Sequence, residues 1–191
     1  PNLKVCGEWT SIKGCGLRQA RAMKQKSMLS NGATREKLEV RKNTMGRQEN
    51  IEIFEDTFAL CKRNSTLRDA IEQSAKKQKL YPKGVECTEK QAITYAQPAK
   101  IIVSPKRTLE AAMPYAYAGK KVCIHNFASA ANPGGGVTKG SSAQEEAICR
   151  CSTLYPNLKE EILWKEFYAP HRRQQNPLHN DDCIYTPGVI A

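Results

Sequence analysis

The 191-residue sequence contains no apolar run approaching the roughly 18 residues a membrane-spanning helix needs, and no charged-then-apolar leader, so a cytoplasmic protein with no membrane partner is expected. Zinc-type spacing is missing too. The eight cysteines, at 6, 15, 61, 87, 123, 149, 151 and 183, include no CxxC, and no His pair stands at finger spacing. They are expected to be reduced core thiols. A metal held by Cys6, Cys15, Cys149 and Cys151 would have only a C-x-C behind it, so no metal and no cofactor is expected. A Gly-Lys-Ser/Thr phosphate loop and a GxGxxG fingerprint are both absent, which removes the commonest nucleotide-binding loops. No internal repeat or low-complexity tract occurs.

What the sequence has in excess is positive charge. Its formal net charge is +11 and its pI about 9.3, a balance that favours an anionic partner. The excess is uneven: residues 1–80 carry 17 Lys/Arg against 9 Asp/Glu, and residues 81–191 carry 13 against 10. A chain of this length can bury roughly 70% of its unfolded surface, enough for one domain with an annex and no disulfide scaffold.

Three stretches are distinguishable. Residues 1–33 are basic and aperiodic and are read as a solvated extension. Residues 34–98 are read as a helical region. In it Ile51, Phe54, Phe58 and Cys61 form an apolar stripe, and a second helix is expected to begin at Ser65 or Thr66 and to end in Lys76, Lys77 and Lys79. From residue 99 to 191 the period changes. "KIIVS" (100–104), "KVCIHNF" (121–127) and "CIYT" (183–186) read as short buried strands, and "TLEAAMPYAYAG" supplies a helix that Pro114 should kink or break. "NLKEEILWKEFYA" reads as a further helix, and "HRRQQNPLH" (171–179) as a solvated turn. The expected fold is therefore α/β, a sheet flanked by helices with an N-terminal helical annex.

Gly134, Gly135 and Gly136 follow the 121–127 strand, where ligands bind in open α/β sheets, and Gln144-Glu145-Glu146 opens the next helix. Bare glycine amides beside a helix N-terminus suit a phosphate. Ser142 and Glu145 match a capping box, and Glu146 could pair with Arg150 four residues on, so both acids also have a purely structural reading. Ala143, Ala147, Ile148, Cys151 and Leu154 form an apolar face. Adjacent residues lie about 100° apart on a helix, so Glu145 and Glu146 cannot form the facing carboxylate pair of most glycosidases.

The segment "HNFASAANPGGGVTKGSSAQEEAICRCSTLYP" resembles the catalytic centre of microbial-type poly(ADP-ribose) glycohydrolases, whose signature is GGG, six to eight residues, then QEE. Here the spacing is seven. The resemblance runs over roughly residues 35–190, through "RQENIEIFEDT", "KIIVSPKRTLEAA" and "NPLHNDDCIYTPGV". It implies a macrodomain-like mixed sheet whose C-terminal part lies beyond "YTPGVIA". It also implies hydrolysis of the ribose–ribose O-glycosidic bond of poly(ADP-ribose), with the free polymer or an ADP-ribosylated protein as partner and ADP-ribose as product. Gly134, Gly135, Gly136 and Val137 would line the diphosphate. Glu146 would be the general acid and base, Glu145 would hold ribose hydroxyls, and Gln144 would position the same end. Asn126, Phe127 and Ser129 would border the ribose, although animal relatives carry Asn at the Ser129 position. A general acid must arrive protonated, so burial, the neighbouring acid and the incoming diphosphate should couple protonation to substrate binding. Two alternatives stand beside this reading: an ADP-ribose reader without catalysis, against which the complete QEE triplet argues, and a basic nucleic-acid-binding protein. Only the latter calls for duplex affinity.

Overall fold

The apolar stripe around Phe54 folds as helix α1, Arg47–Arg63, in the computed structural model of the chain, which describes residues 4–6, 46–84, 97–175 and 181–191. Four residues of α1 are buried at near-heptad spacing, Asn50, Phe54, Thr57 and Cys61, so the inward face carries two polar side chains that the hydrophobic pattern alone does not single out. Phe54 stacks beside Phe58 at 5.8 Å, and both meet the Tyr155 ring edge-on, at 4.8 and 5.5 Å.

Helix α2, Ser65–Lys77, follows after a single residue. Its cap is Asn64 rather than the expected Ser65 or Thr66: the Asn64 carboxamide oxygen accepts from the Leu67 amide at 3.1 Å, and Asn is among the strongest N-caps. Lys76 and Lys77 close the last turn, as expected, while Lys79 begins a strand.

The sheet is mixed and its strands are short. Strand β1 is Lys4–Cys6, β2 Lys79–Tyr81, β3 Asn126–Phe127 and β4 Cys183–Tyr185, in the order β2-β4-β1-β3. β1 runs parallel to β4 and antiparallel to β3, and β2 runs antiparallel to β4. The basic extension therefore contributes a strand; its residues 1–3 and 7–33, with Cys15, lie outside the described residues. Ile184 of β4, opposite Leu80, is fully buried in the core with Leu158, Phe167 and Tyr168.

Several expectations need correction. Residues 100–104 form no strand: Ile101, Ile102 and Val103 are exposed, and among the described residues no strand pairs with them. An apolar β-branched run becomes a strand only against a partner that supplies its hydrogen bonds. The 121–127 run is a strand only at Asn126–Phe127. Helix α3, Thr108–Tyr117, continues past Pro114. The single helix expected at residues 157–169 is instead several short helical segments. Cys123 is disulfide-bonded and Cys151 is exposed, so neither is a reduced core thiol, whereas Cys61 and Cys149 are buried. Among the described residues no three His, Cys, Asp or Glu side chains group as a metal site, and no helix is long and apolar enough to cross a membrane.

Helix α4 is Gln144–Arg150, α5 Leu154–Leu158 and α6 Glu161–Leu163; a π-helical turn, Trp164–Tyr168, leads into α7, Ala169–Gln174. The widened turn sends the consecutive Phe167 and Tyr168 into the core. His171, in α7 rather than a solvated turn, is buried and lies 3.1 Å from Asp182. Beyond β4 the chain lies along α2 and α5. Ser74 Oγ donates to the Pro187 carbonyl at 2.5 Å, and Thr153 and Ile190 exchange two hydrogen bonds of 2.8 and 3.0 Å.

The Phe54–Tyr155 contact joins α1 to the segment beneath the glycine loop, so its loss should cost more than an exposed truncation. Phe54→Ala is expected to lower unfolding stability by about 3–4 kcal/mol in urea titrations, and Ile162→Ala, at an exposed position, by no more than about 0.5 kcal/mol.

Candidate active site

Gly134 and Gly135 both take left-handed backbone angles, φ 68° and 59°, a conformation costing about 1–2 kcal/mol for a residue with a Cβ. Space demands glycine as well. A Cβ on Gly134 would stand 2.6 Å from the Tyr155 ring, and one on Gly136 would collide with the Ser141 side chain. A 3₁₀ turn, Val137–Lys139, follows and ends at Gly140, again left-handed. From there the chain passes through Ser141 into α4.

Helix α4 carries the acids, but its cap is not the expected one. The helix starts at Gln144 with Ala143 as N-cap and no side-chain cap bond. Instead of closing a capping box, the Glu145 carboxylate reaches back over the glycine loop. It accepts from the Ser129 amide at 2.8 Å and from the Gly134 amide at 3.1 Å. Glu146 accepts from the Gly136 amide at 2.9 Å. Both acids are buried, 3% and 7% exposed, and these amide bonds offset part of the cost of removing carboxylates from water.

The two carboxyls converge although their residues are adjacent. An ideal Cβ on Gly135 would lie 2.5 Å from Glu146 Oε1 and 3.2 Å from Glu145 Oε2, so the bare face of Gly135 is where both acids meet. The alternative pairing of Glu146 with Arg150 does not occur: Arg150 is buried, and its guanidinium donates to the Ser141 carbonyl at 2.5 Å. Burial pushes the Glu145 carboxyl up to about 7; the Ser129 amide opposes this, the nearby Glu146 adds to it, and the Gly134 amide opposes it again. Below the acids, the Tyr168 phenol and the Cys149 thiol are held well above their ordinary values, chiefly by burial and secondly by the charge of Glu145.

The remaining sequence-derived residues take distinct places. Gln144 ties α4 to its neighbours: its carboxamide oxygen accepts from the Phe127 amide at 2.7 Å, and its nitrogen donates to Thr108 Oγ1 and the His125 carbonyl, both at 3.0 Å. Ser129 Oγ accepts from the Ala131 and Asn132 amides, which folds the approach to the loop. Phe127 is exposed beside the His125 ring at 4.6 Å. Asn126 is buried, and neither polar atom of its side chain has a hydrogen-bond partner. Val137 is fully buried, so its side chain belongs to the core. The amides of residues 134–137, expected to face a diphosphate, all donate within the protein: Gly135 to the Asn132 carbonyl, Val137 to the Gly134 carbonyl, and Gly134 and Gly136 to the acids.

Sequence reasoning did not find Asn50, Thr57 or Thr108. Asn50 and Thr57 bond across about 90 positions of chain, to the Gly140 and Arg150 carbonyls, and only their presence on an otherwise apolar helix face hinted at them.

A carboxyl whose folded value is raised above 4.5 holds its proton more tightly in the native state. The stability it contributes is therefore complete below about pH 4.5 and lost as pH rises through about 7. The melting temperature is expected to fall between pH 5 and 8, and Glu145→Gln to flatten that slope in a calorimetric pH series. Gly135→Ala is expected to destabilise by at least about 1–2 kcal/mol, measured by urea unfolding, because the collision of its Cβ with the Glu146 carboxylate adds to the backbone strain.

Comparison with known proteins bears on this arrangement. The family description "Microbial-type PARG, catalytic domain" matches residues 47–191. A solved poly(ADP-ribose) glycohydrolase from Thermomonospora curvata is similar at 30% identity and TM-score 0.59, over 74% of this chain and 56% of that one. The glycohydrolase of the same organism bound to the inhibitor ADP-HPD gives 29% identity and TM-score 0.56, over 74% and 54%. The chain thus spans little more than half the length of these solved relatives. No curated protein sequence gives a significant match. Holding GGG against QEE on the matched segment, the chain belongs to the family of microbial-type poly(ADP-ribose) glycohydrolase catalytic domains.

Proposed function

We propose that this site, on a macrodomain-like scaffold, hydrolyses the ribose–ribose O-glycosidic bond of poly(ADP-ribose), free or attached to protein, and releases ADP-ribose. The observation that carries the reading is the convergence of Glu145 and Glu146 over the bare face of Gly135. Any side chain at residue 135 would displace them, so glycine there lets the two carboxyls act as one group. The bound inhibitor of the Thermomonospora curvata glycohydrolase and the family match support the choice of substrate class.

In the proposed reaction Glu146 gives its proton to the leaving ribose oxygen as the bond from that oxygen to the anomeric carbon breaks. The same carboxylate then takes a proton from the water whose oxygen bonds to that carbon, and is restored to its starting form. The Gly136 amide fixes one Glu146 oxygen, leaving the other for the proton transfers. Glu145 uses the remaining lone pairs of its two amide-bonded oxygens to orient ribose hydroxyls. Ser129 and the exposed Phe127 border the sugar. The diphosphate contacts the outer surface of the glycine loop, whose amides hold the acids in place.

The test is release of ADP-ribose from poly(ADP-ribose). The parent is expected to liberate it and Glu146→Gln to be slower by a factor of about 10²–10⁴, with ADP-ribose still bound by both in calorimetry. Binding by the parent without any cleavage would instead favour a reader module.

A further inference from the structure

Helix α1 touches the unit that bears the acids at two places on one face. Asn50 Nδ2 donates to the Gly140 carbonyl at 3.0 Å, and Thr57 Oγ1, two turns later, donates to the Arg150 carbonyl at 2.7 Å. Gly140 ends the 3₁₀ turn that starts from Gly136, and Arg150 ends α4. The helix thus grips both ends of the segment that runs from the glycine loop through Glu145 and Glu146. Contact at the first end is close: a Cβ on Gly140 would collide with the main-chain carbonyl of Arg47.

Asn50 is an expensive choice for this position. It is 2% exposed, and its Oδ1 has no hydrogen-bond partner. A buried acceptor without a donor destabilises a fold, so an apolar residue of the same size would serve packing better. Only the amide nitrogen has a use, and that use is the Gly140 carbonyl. Behind it runs a short chain of bonds: the Ser141 and Lys139 amides donate to the Gly136 carbonyl, and the Gly136 amide donates to Glu146 Oε1.

We propose that Asn50 is a positioning residue, setting the glycine loop against Glu146 through the Gly140 carbonyl. This rests on the glycohydrolase reading for its kinetic consequence but not for its structural one. Small displacements of a reacting group are costly: a shift of about 1 Å can lower a rate by about 10²-fold.

Asn50→Leu separates positioning from folding, because it removes both the useful donor and the unpartnered acceptor. The variant exchanges one unpartnered buried acceptor, Asn50 Oδ1, for another, the Gly140 carbonyl, and is expected to melt close to the parent temperature. Hydrogen exchange at the Gly136 amide should accelerate about tenfold, and kcat on poly(ADP-ribose) should fall by about 10–100-fold with KM changed less than about twofold. Thr57→Val, which keeps the shape and removes the second donor, is expected to lower kcat in the same sense. An Asn50→Leu variant with parental exchange at Gly136 overturns the proposal, whatever the activity. One that loses stability in step with activity also overturns it, since that is a plain folding role. A parent without hydrolysis but with faster Gly136 exchange in the variant would sink the glycohydrolase reading and leave the positioning of the loop established.

Discussion

Three hydrogen bonds, from the amides of Ser129, Gly134 and Gly136 to the carboxylates of Glu145 and Glu146, hold the site together. Two buried acids side by side are unfavourable in an apolar interior, and without donors they would repel and protonate. The glycine loop supplies the donors because it has no side chains to keep the acids away. Its left-handed turns at Gly134 and Gly135 aim the Gly134 and Gly136 amides toward α4, and the Tyr155 ring closes the space beneath Gly134. Glycine is required at these positions by angle and by room together, so the loop and the helix form one unit.

The rest of the fold keeps that unit in register. Phe54 on α1 supports Tyr155, Asn50 and Thr57 bind its two ends, and Gln144 fastens the start of α4 to β3 and α3. A seven-residue helix has little stability of its own, so these tertiary bonds fix where its first turn points. Elevation of the Glu145 carboxyl to about 7 follows from the same enclosure. Burial prevails over the amide bonds for that acid because the surrounding side chains, Cys149 and Tyr168 among them, are poor substitutes for water.

Much of this was legible in the sequence where the signal was local. The stripe through Phe54 and Cys61, the basic last turn of α2 at Lys76 and Lys77, the strand at Cys183–Tyr185 and the start of a helix at Gln144 follow from periodicity and charge placement. The GGG and QEE motifs could be paired only through family resemblance. Local rules misled where a tertiary bond outcompeted them. Glu145 satisfies every requirement of a capping box yet binds Ser129 and Gly134, and Arg150 leaves Glu146 for the Ser141 carbonyl. Residues 101–103 have strand composition but no strand beside them among the described residues, and composition alone makes no hydrogen bonds. The roles of Asn50 and Thr57 depend on contacts about 90 residues away, beyond the reach of any window.

The central claim is that the amide-held carboxyls meet a nucleotide sugar at the bare face of Gly135. A crystal structure of the protein with ADP-ribose tests it most directly. The account predicts the terminal ribose within hydrogen-bond distance of Glu146, with the 2.9 Å contact between the Gly136 amide and Glu146 intact. A complex that seats the ribose away from both acids, or in which Glu146 has turned from Gly136 to Arg150, would contradict it.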